Sequence, residues 1–533
     1  MNYKNKLSAV IMPAIIAFAI IIGMIIEKNI NKKDINNFIV YPKTNKINSV
    51  LNYIQDSYVD SVSKTDLVEK TIPSILKTLD PHSVYIPAKD FKKINDPLEG
   101  NFGGIGVQFN MQKDTVVVIK TIPGGPSALV GIMDGDRIVK VNDSLIAGIK
   151  MSTNEVMKRL KGPKGTKVKV GIARKGVSEL IDFIITRDKI PIYSVDVSYM
   201  INKDVGYIKI NKFSKTTHKE FVENTLKLKK QGLKKIIVDL RDNGGGYMDE
   251  ATELADEFLD SGNLIVFTKG RTQPQTNIYA TSKGICLNTE VVVLINEWSA
   301  SASEIFAGAI QDNDRGIIVG RRSYGKGLVQ QPIFFSDGSS IRLTIARYYT
   351  PSGRCIQKPY KNNSDYYNDI AERYLHGEFA KKDSIHFPDS LKFTTPKGKI
   401  LYGGGGIMPD VFVPVDTSGS SNYFTKISQK GLEYLFAFNY TDDNRKKLNT
   451  FKNYKDLEDY LTEQSILKKF IAFAEQKGIK KNKKDLKVSG KIIETRIKAL
   501  IARNILDNDG FFPIIQKIDT SLQTAISILS EKK

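Results

Sequence analysis

Cysteine, tryptophan and histidine are scarce in this chain, at two, one and four residues among 533. Cys286 and Cys355 cannot build a disulfide framework, and no Cys-x-x-Cys pair offers a zinc site. One bridge between them stays open. His82, His218, His376 and His386 sit in no motif of a catalytic base, and no His, Asp or Glu cluster has metal-ligand spacing. Neither a metal nor a cofactor is expected. Acidic residues are also short, since 58 Asp and Glu against 79 Lys and Arg leave a formal charge of +21. That excess is mostly scattered lysine. A nucleic-acid surface gathers Arg, Lys and aromatics on one element, so no nucleic-acid partner is expected; attraction to an anionic membrane fits the charge.

What is present divides the chain into regions. Leu7–Ile26 carries no charge and is long enough to span about 30 Å of hydrocarbon as a helix. Lys4 and Lys6 precede it, which favours a cytoplasmic N-terminus. With no Ala-x-Ala-like cleavage site, residues 1–30 read as an uncleaved signal-anchor. Residues 45–98 read as short amphipathic helices ending in the turn-rich "DPHSVYIPAKDF". Residues 99–187 change to short β-type runs such as "DTVVVIKTI" and "TKVKVGIAR" between glycine turns. Over 188–420, strands such as "KKIIVDL" and "EVVVLIN" alternate with helical stretches, which argues an α/β layer fold. Residues 423–533 are Lys-rich and helical in pattern, with no legible motif.

One stretch poses a chemical question. "EWSASASEIFAGAIQDNDRG" places Ser299, Ser301 and Ser303 where an apolar helix begins, although one capping hydroxyl would suffice. A serine hydroxyl is a poor nucleophile until a base takes its proton. Lysine can serve if its amine is neutral, and a depression of about three pKa units from about 10.4 corresponds to roughly 4 kcal/mol, within reach of burial. Lys326 in "RRSYGKGLVQ" is the candidate. Its neighbours Gly325 and Gly327 let the backbone bring the amine close to another loop.

"SASASEIFAGAIQD" followed by "GKGLVQ", with "DLRDNGGG" upstream and "TPSGR" downstream, resembles the carboxy-terminal processing protease family over most of Asn45–Val415. The resemblance implies that Ser301 is the nucleophile and Lys326 the general base, with Gln330 holding the amine and Glu304 three residues past the serine. Ser299 is then read as the helix N-cap and Ser303 as a small, close-packed residue. The oxyanion would meet the N–H of Ala302 and that of Gly245, with Gly244 as the alternative. Asp239 and Arg241 read as a buried pair shaping the glycine loop, and His82 as a structural hydrogen-bonding residue. The fold implied is a crotonase-like (ClpP-like) spiral α/β protease core with an inserted PDZ domain.

"NFGGIGVQF" resembles the carboxylate-binding loop of such a domain, and "GGPSALVGIMDGDRIVKVND" continues the likeness. Successive N–H groups of Gly104, Ile105, Gly106 and Val107 would hold a terminal carboxylate, and the peptide would add as a strand. Lys161 departs from the family, which has arginine there. The expected protein is a serine endopeptidase of the bacterial inner membrane, anchored through residues 7–26 with its catalytic part in the periplasm. Its partners would be proteins with apolar C-terminal tails, and cleavage would follow apolar or small residues. A homo-oligomer or an adaptor contact through the C-terminal helices stays open. Two rivals stay open as well: a non-catalytic tail-binding scaffold, and a periplasmic carrier of apolar ligands.

Overall fold

The structure, a computed structural model, describes residues 17–24, 45–112, 114–360, 363–385 and 387–531. It divides into two compact units, Met1–Ile75 and Leu76–Lys533. In the first, residues 17–24 are helical and exposed, and the helices Lys46–Ser57 and Lys64–Leu76 follow. Most of the expected anchor at Leu7–Ile26 lies outside the described residues. Among the described residues, no helix is long and apolar enough to cross a membrane.

The second unit is built on a six-stranded sheet whose runs are apolar at nearly every position. Lys235–Asp239, Glu290–Ile295 and Ile317–Gly320 lie parallel between Val205–Ile210 and Val411–Phe412, and Val195–Met200 closes one edge antiparallel. Such runs mark a sheet covered on both faces. Ile236, Val238, Val291, Val293 and Ile318 pack with the helices Met248–Asp256 and Ala302–Asp312 on one face. Their alternates Ile237, Val292, Leu294 and Val319 pack against Leu522, Ala525 and Leu529 on the other. Those three come from Thr520–Glu531, the last helix of the chain.

A second sheet pairs Ser340–Tyr349 with Leu328–Phe334, Val84–Ile86 and Leu264–Lys269. Its Ile265, Val266 and Tyr348 pack with Ile305 and Phe306 of the serine helix. Both sheets therefore deliver their loops to one place, at the C-terminal ends of the parallel strands, where open α/β sheets hold their ligands.

An antiparallel ribbon, Asn101–Gly104 with Asp188–Pro191, leads out of this core and back. Between its arms lies an antiparallel sheet ordered Val107–Gln112, Thr115–Thr121, Arg137–Val141, Lys167–Ala173 and Ile181–Thr186. The helix Thr153–Leu160 opens with a capping box, since Ser152 Oγ accepts from Glu155 N–H at 3.3 Å and Glu155 accepts from Ser152 N–H at 3.2 Å. It seats Val156 and Leu160 against Val116, Val118 and Ile138. Helices from Asn422 to Ile515 form a further core around Phe436, Phe470 and Ile497.

Candidate active site

The chain runs from the strand Glu290–Ile295 through a tight turn into the buried helix Ala302–Asp312. Ser301 is the turn residue, with φ 56° and ψ −115°. A side chain held in so sparse a region costs on the order of 1–3 kcal/mol and persists only where its surroundings impose it. Here they do. The Ser301 N–H donates to Glu304 Oε2 at 2.8 Å. Gly245 lies so close that an added Cβ would stand 2.8 Å from Ser301 Cβ and 2.9 Å from Ala302 N.

Glu304 joins the two halves of the site. Its buried carboxylate accepts from the N–H of Ser301, from Gly325 N–H at 2.7 Å, from Lys326 N–H at 2.9 Å and from Ser323 Oγ at 2.5 Å. Burial raises its pKa while these four donors oppose the rise. One side chain thus holds the backbone of the serine turn against that of the lysine loop.

Gly325 adopts φ 88°, and an added Cβ there would press on Gly406 and Lys358 at 3.1 Å, so the lysine loop needs glycine at this point. Lys326 Nζ donates to Gln330 Oε1 at 3.0 Å. Gln330 Nε2 in turn donates to the His82 carbonyl. The turn carrying that carbonyl is tied by Asp80, which accepts from His82 N–H at 2.7 Å, Ser83 N–H at 2.8 Å and Thr344 Oγ1 at 3.2 Å. The His82 ring meets Tyr366 OH at 2.6 Å, and burial, with Lys326 next in effect, lowers its pKa to about 4. It is neutral near pH 7, so it carries no charge against the amine.

Burial lowers the Lys326 pKa to about 8, with the nearby positive charge of Arg342 acting in the same direction. Ser301 and Lys326 line one open cavity of about 310 Å³, together with Gly244, Gly245, Ala302 and Gln330. Its apolar wall is Leu98, Met248, Ile305 and Leu328, and Tyr348 closes the floor. The Tyr348 OH donates to the carbonyls of Lys326 at 2.5 Å and Ser301 at 3.1 Å. Among the described residues, no hydrogen bond joins Ser301 Oγ to Lys326 Nζ. Catalytic hydrogen bonds are often long before substrate arrives.

The other two serines are not what their spacing suggests. Ser299 is not the N-cap, because the helix starts at Ala302 with Ser301 in the capping position. Ser299 Oγ instead accepts from Asn296 N–H at 3.0 Å and donates to the Leu240 carbonyl at 2.8 Å. Ser303 is more than a small residue, since its Oγ donates to the Asn243 carbonyl at 2.9 Å. Both flanking hydroxyls moor the loop that runs from Asp239 to Gly246. Arg241 braces the same loop through Asp239, at 2.6 Å, and through Asp519 at 2.9 and 2.7 Å.

Ala302 opens the helix, so its N–H is among the first four that lack an intrahelical partner. The Gly245 N–H, by contrast, donates to Asn243 Oδ1 at 2.9 Å. One proton cannot serve Asn243 and an oxyanion equally, so Gly245 acts as a donor only if Asn243 lets go. Gly244 is exposed, with open space where a side chain would stand.

The glycine-rich loop before Val107–Gln112 turns its carbonyls into its own domain. Ile105 O accepts from Ser127 N–H at 3.0 Å, and Gly106 O accepts from Ile122 N–H at 3.0 Å. Among the described residues, the N–H groups of Ile105 and Gly106 make no backbone hydrogen bond. Gly104 adds a buried position and Val107 begins the strand, whose outer edge pairs with nothing in its sheet. Two N–H groups without a backbone partner thus stand next to an edge strand. Lys161 lies 4.2 Å over the Phe102 ring.

Sequence reasoning passed over Asp80, Ser323, Arg342 and Tyr348. Alternation in "SIRLTIARYY" carried part of the signal, because it sets Arg342 and Thr344 on one face of a strand, while the register shift between Thr344 and Ala346 breaks the pattern before Tyr348.

Family models match in four places: Peptidase family S41 at residues 204–365, a PDZ domain at 103–185, the activating protease CtpB N-terminal domain at 23–90, and a family of unknown function at 423–507. A carboxy-terminal-processing protease of Bartonella bacilliformis is 36% identical over 322 residues, 60% of this chain and 73% of that protein. A carboxy-terminal processing protease of Bacillus subtilis is 34% identical, over 59% of this chain and 67% of its own. Among solved structures, a photosystem II D1 C-terminal processing protease aligns at 25% identity and a TM-score of 0.35, over 69% of this chain and 92% of that one.

Proposed function

Because the chain belongs to the carboxy-terminal processing proteases of peptidase family S41, serine-type peptidases with a PDZ domain, we propose that Ser301 is its nucleophile and Lys326 its general base. The observation that carries this reading is the Glu304 carboxylate, which gathers the N–H groups of Ser301, Gly325 and Lys326 on one group. Among the described residues, no other serine N–H shares a carboxylate with the N–H of a buried lysine.

The neutral Lys326 amine leaves Gln330 and takes the Ser301 proton as Oγ bonds to the substrate carbonyl carbon. The oxyanion is held by the Ala302 N–H, at the positive end of a helix, and by one N–H of the Gly244–Gly245 stretch. Collapse breaks the peptide C–N bond, and the Lys326 ammonium returns its proton to the departing amine. Water then attacks the acyl-enzyme carbonyl, giving its proton to Lys326, and the C–Oγ bond breaks as the Lys326 ammonium returns that proton to Ser301. Gln330, fastened by His82, keeps the amine parked within the cavity between turnovers.

Selection of substrate is assigned to the loop at Gly104–Val107, which takes the terminal carboxylate while the tail adds along Val107–Gln112. The apolar wall of the cavity fits apolar or small residues at the cut. Within the same reading, the core follows a crotonase-like spiral, and the chain is held at a bacterial inner membrane by residues 7–26 with the catalytic part in the periplasm. Digestion of a protein bearing an apolar tail by wild type, Ser301→Ala and Lys326→Ala tests the assignment. Full cleavage by Ser301→Ala would sink it.

A further inference from the structure

Arg342 is the one charged residue of the active-site cavity, besides the reacting lysine, that the mechanism leaves unused. It stands on Ser340–Tyr349, on the face that also carries Thr344. Four arginines of this core face carboxylates: Arg241 meets Asp239 and Asp519, Arg321 meets Glu297, Arg322 meets Glu378, and Arg354 meets Asp312, while Arg315 fills its fork with four backbone carbonyls. Arg342 does neither. Its described hydrogen bond is from Nη2 to the neutral Asn95 Oδ1 at 2.6 Å, and among the described residues it has no ion pair. Tyr247, its other polar neighbour in the cavity, has its OH on Glu99 at 3.2 Å.

A guanidinium presents five donors in a planar fork, and one amide oxygen leaves most of that fork open. Half-burying such a charge without a partner is costly, and here it also stands near a lysine that must lose its own proton. A carboxylate is the group that the fork matches, through two parallel hydrogen bonds. The cavity measures about 310 Å³, and two residues of extended chain span about 7 Å.

On the Ser301–Lys326 reading above, we propose that Arg342 is a specificity residue that binds a substrate carboxylate within about two residues of the scissile bond. The carboxylate comes either from an acidic side chain or from a free chain end. Arg342 shares its cavity with Leu98, Met248, Ile305 and Leu328, so the cleft would read an anion as well as an apolar residue.

The test uses the full chain and peptides differing in one group. One set carries Glu or Gln at the first or second position on either side of the cut. The other ends two residues beyond the cut in a free acid or an amide. Wild type is expected to favour one carboxylate form by about tenfold in kcat/KM, mainly through KM. Arg342→Gln is expected to bring that ratio to near one, and Arg342→Lys to keep part of it. The set that responds identifies the source. Because each ratio is measured within one enzyme, partial misfolding or a shifted Lys326 pKa cancels. A wild-type ratio of one in both sets, or a ratio unchanged in Arg342→Gln, overturns the proposal. Ser301→Ala separates the two readings: cleavage persisting there sinks the dyad, whereas silence there with unchanged Arg342 ratios sinks only this inference.

Discussion

The C-terminal helices meet the protease core and the PDZ domain in opposite ways. Against the core sheet they bury Leu522 and Leu529, 1% and 2% exposed, and pair Asp519 with Arg241 behind the glycine loop. Against the PDZ domain they offer ion pairs at wetter positions: Arg137 with Asp442 at 3.0 Å, Lys175 with Asp443 at 3.6 Å and Lys120 with Asp507 at 3.8 Å. A buried leucine contributes about 1.5–3 kcal/mol, whereas an exposed pair contributes roughly 0–1 kcal/mol and fades with salt. The comparison teaches that the reacting loops are locked from behind by apolar burial, while the tail reader is held by contacts that a few charges can loosen.

The largest effect would divide the two regions outright. Ser301→Ala is expected to lower kcat about 10⁴-fold or more, while a labelled tail peptide binds the PDZ domain as before by fluorescence anisotropy. Loss of both together would break the separation. Next comes pH. Lys326 reacts only when neutral, and its pKa of about 8 lies below the usual lysine value, so the reactive fraction grows as pH climbs toward and past 8. kcat/KM is expected to rise about fifty-fold from pH 6 to 8, while tail binding stays flat over that window.

Asp519→Ala sharpens the core side. It removes two charge-assisted bonds from Arg241, and urea unfolding is expected to show a loss of about 1.5–3 kcal/mol, with kcat falling as the glycine loop slackens. Asp442→Ala is the smallest. Removing this partly exposed partner of Arg137 is expected to cost under about 1 kcal/mol, and less in high salt. A cost above that of Asp519→Ala would invert the comparison.

Much of the reacting chemistry was legible. Alternation of strand and helix announced an α/β layer, and the spaced serine and lysine motifs pointed to residues that line a common cavity. Ser299 was misread because a hydroxyl before a helix looks like a cap, whereas its partner is the Leu240 carbonyl in the glycine loop. Whether the Gly245 N–H is free was not legible, because it depends on where the Asn243 side chain turns. Glu304 was seen but undervalued: three of its four donors come from Ser323, Gly325 and Lys326 on another loop.

The order of residues alone decided which segments would be strand or helix and which side chains could react, because period, glycine placement and functional groups are local properties. Tertiary structure alone decided that Asp80 and His82 would steady Gln330, that Arg342 would face the cavity without a carboxylate, and that the last helix would brace the glycine loop. Those outcomes depend on groups far apart along the chain meeting within about 3 Å, where hydrogen bonds form. No local pattern encodes which distant partner arrives.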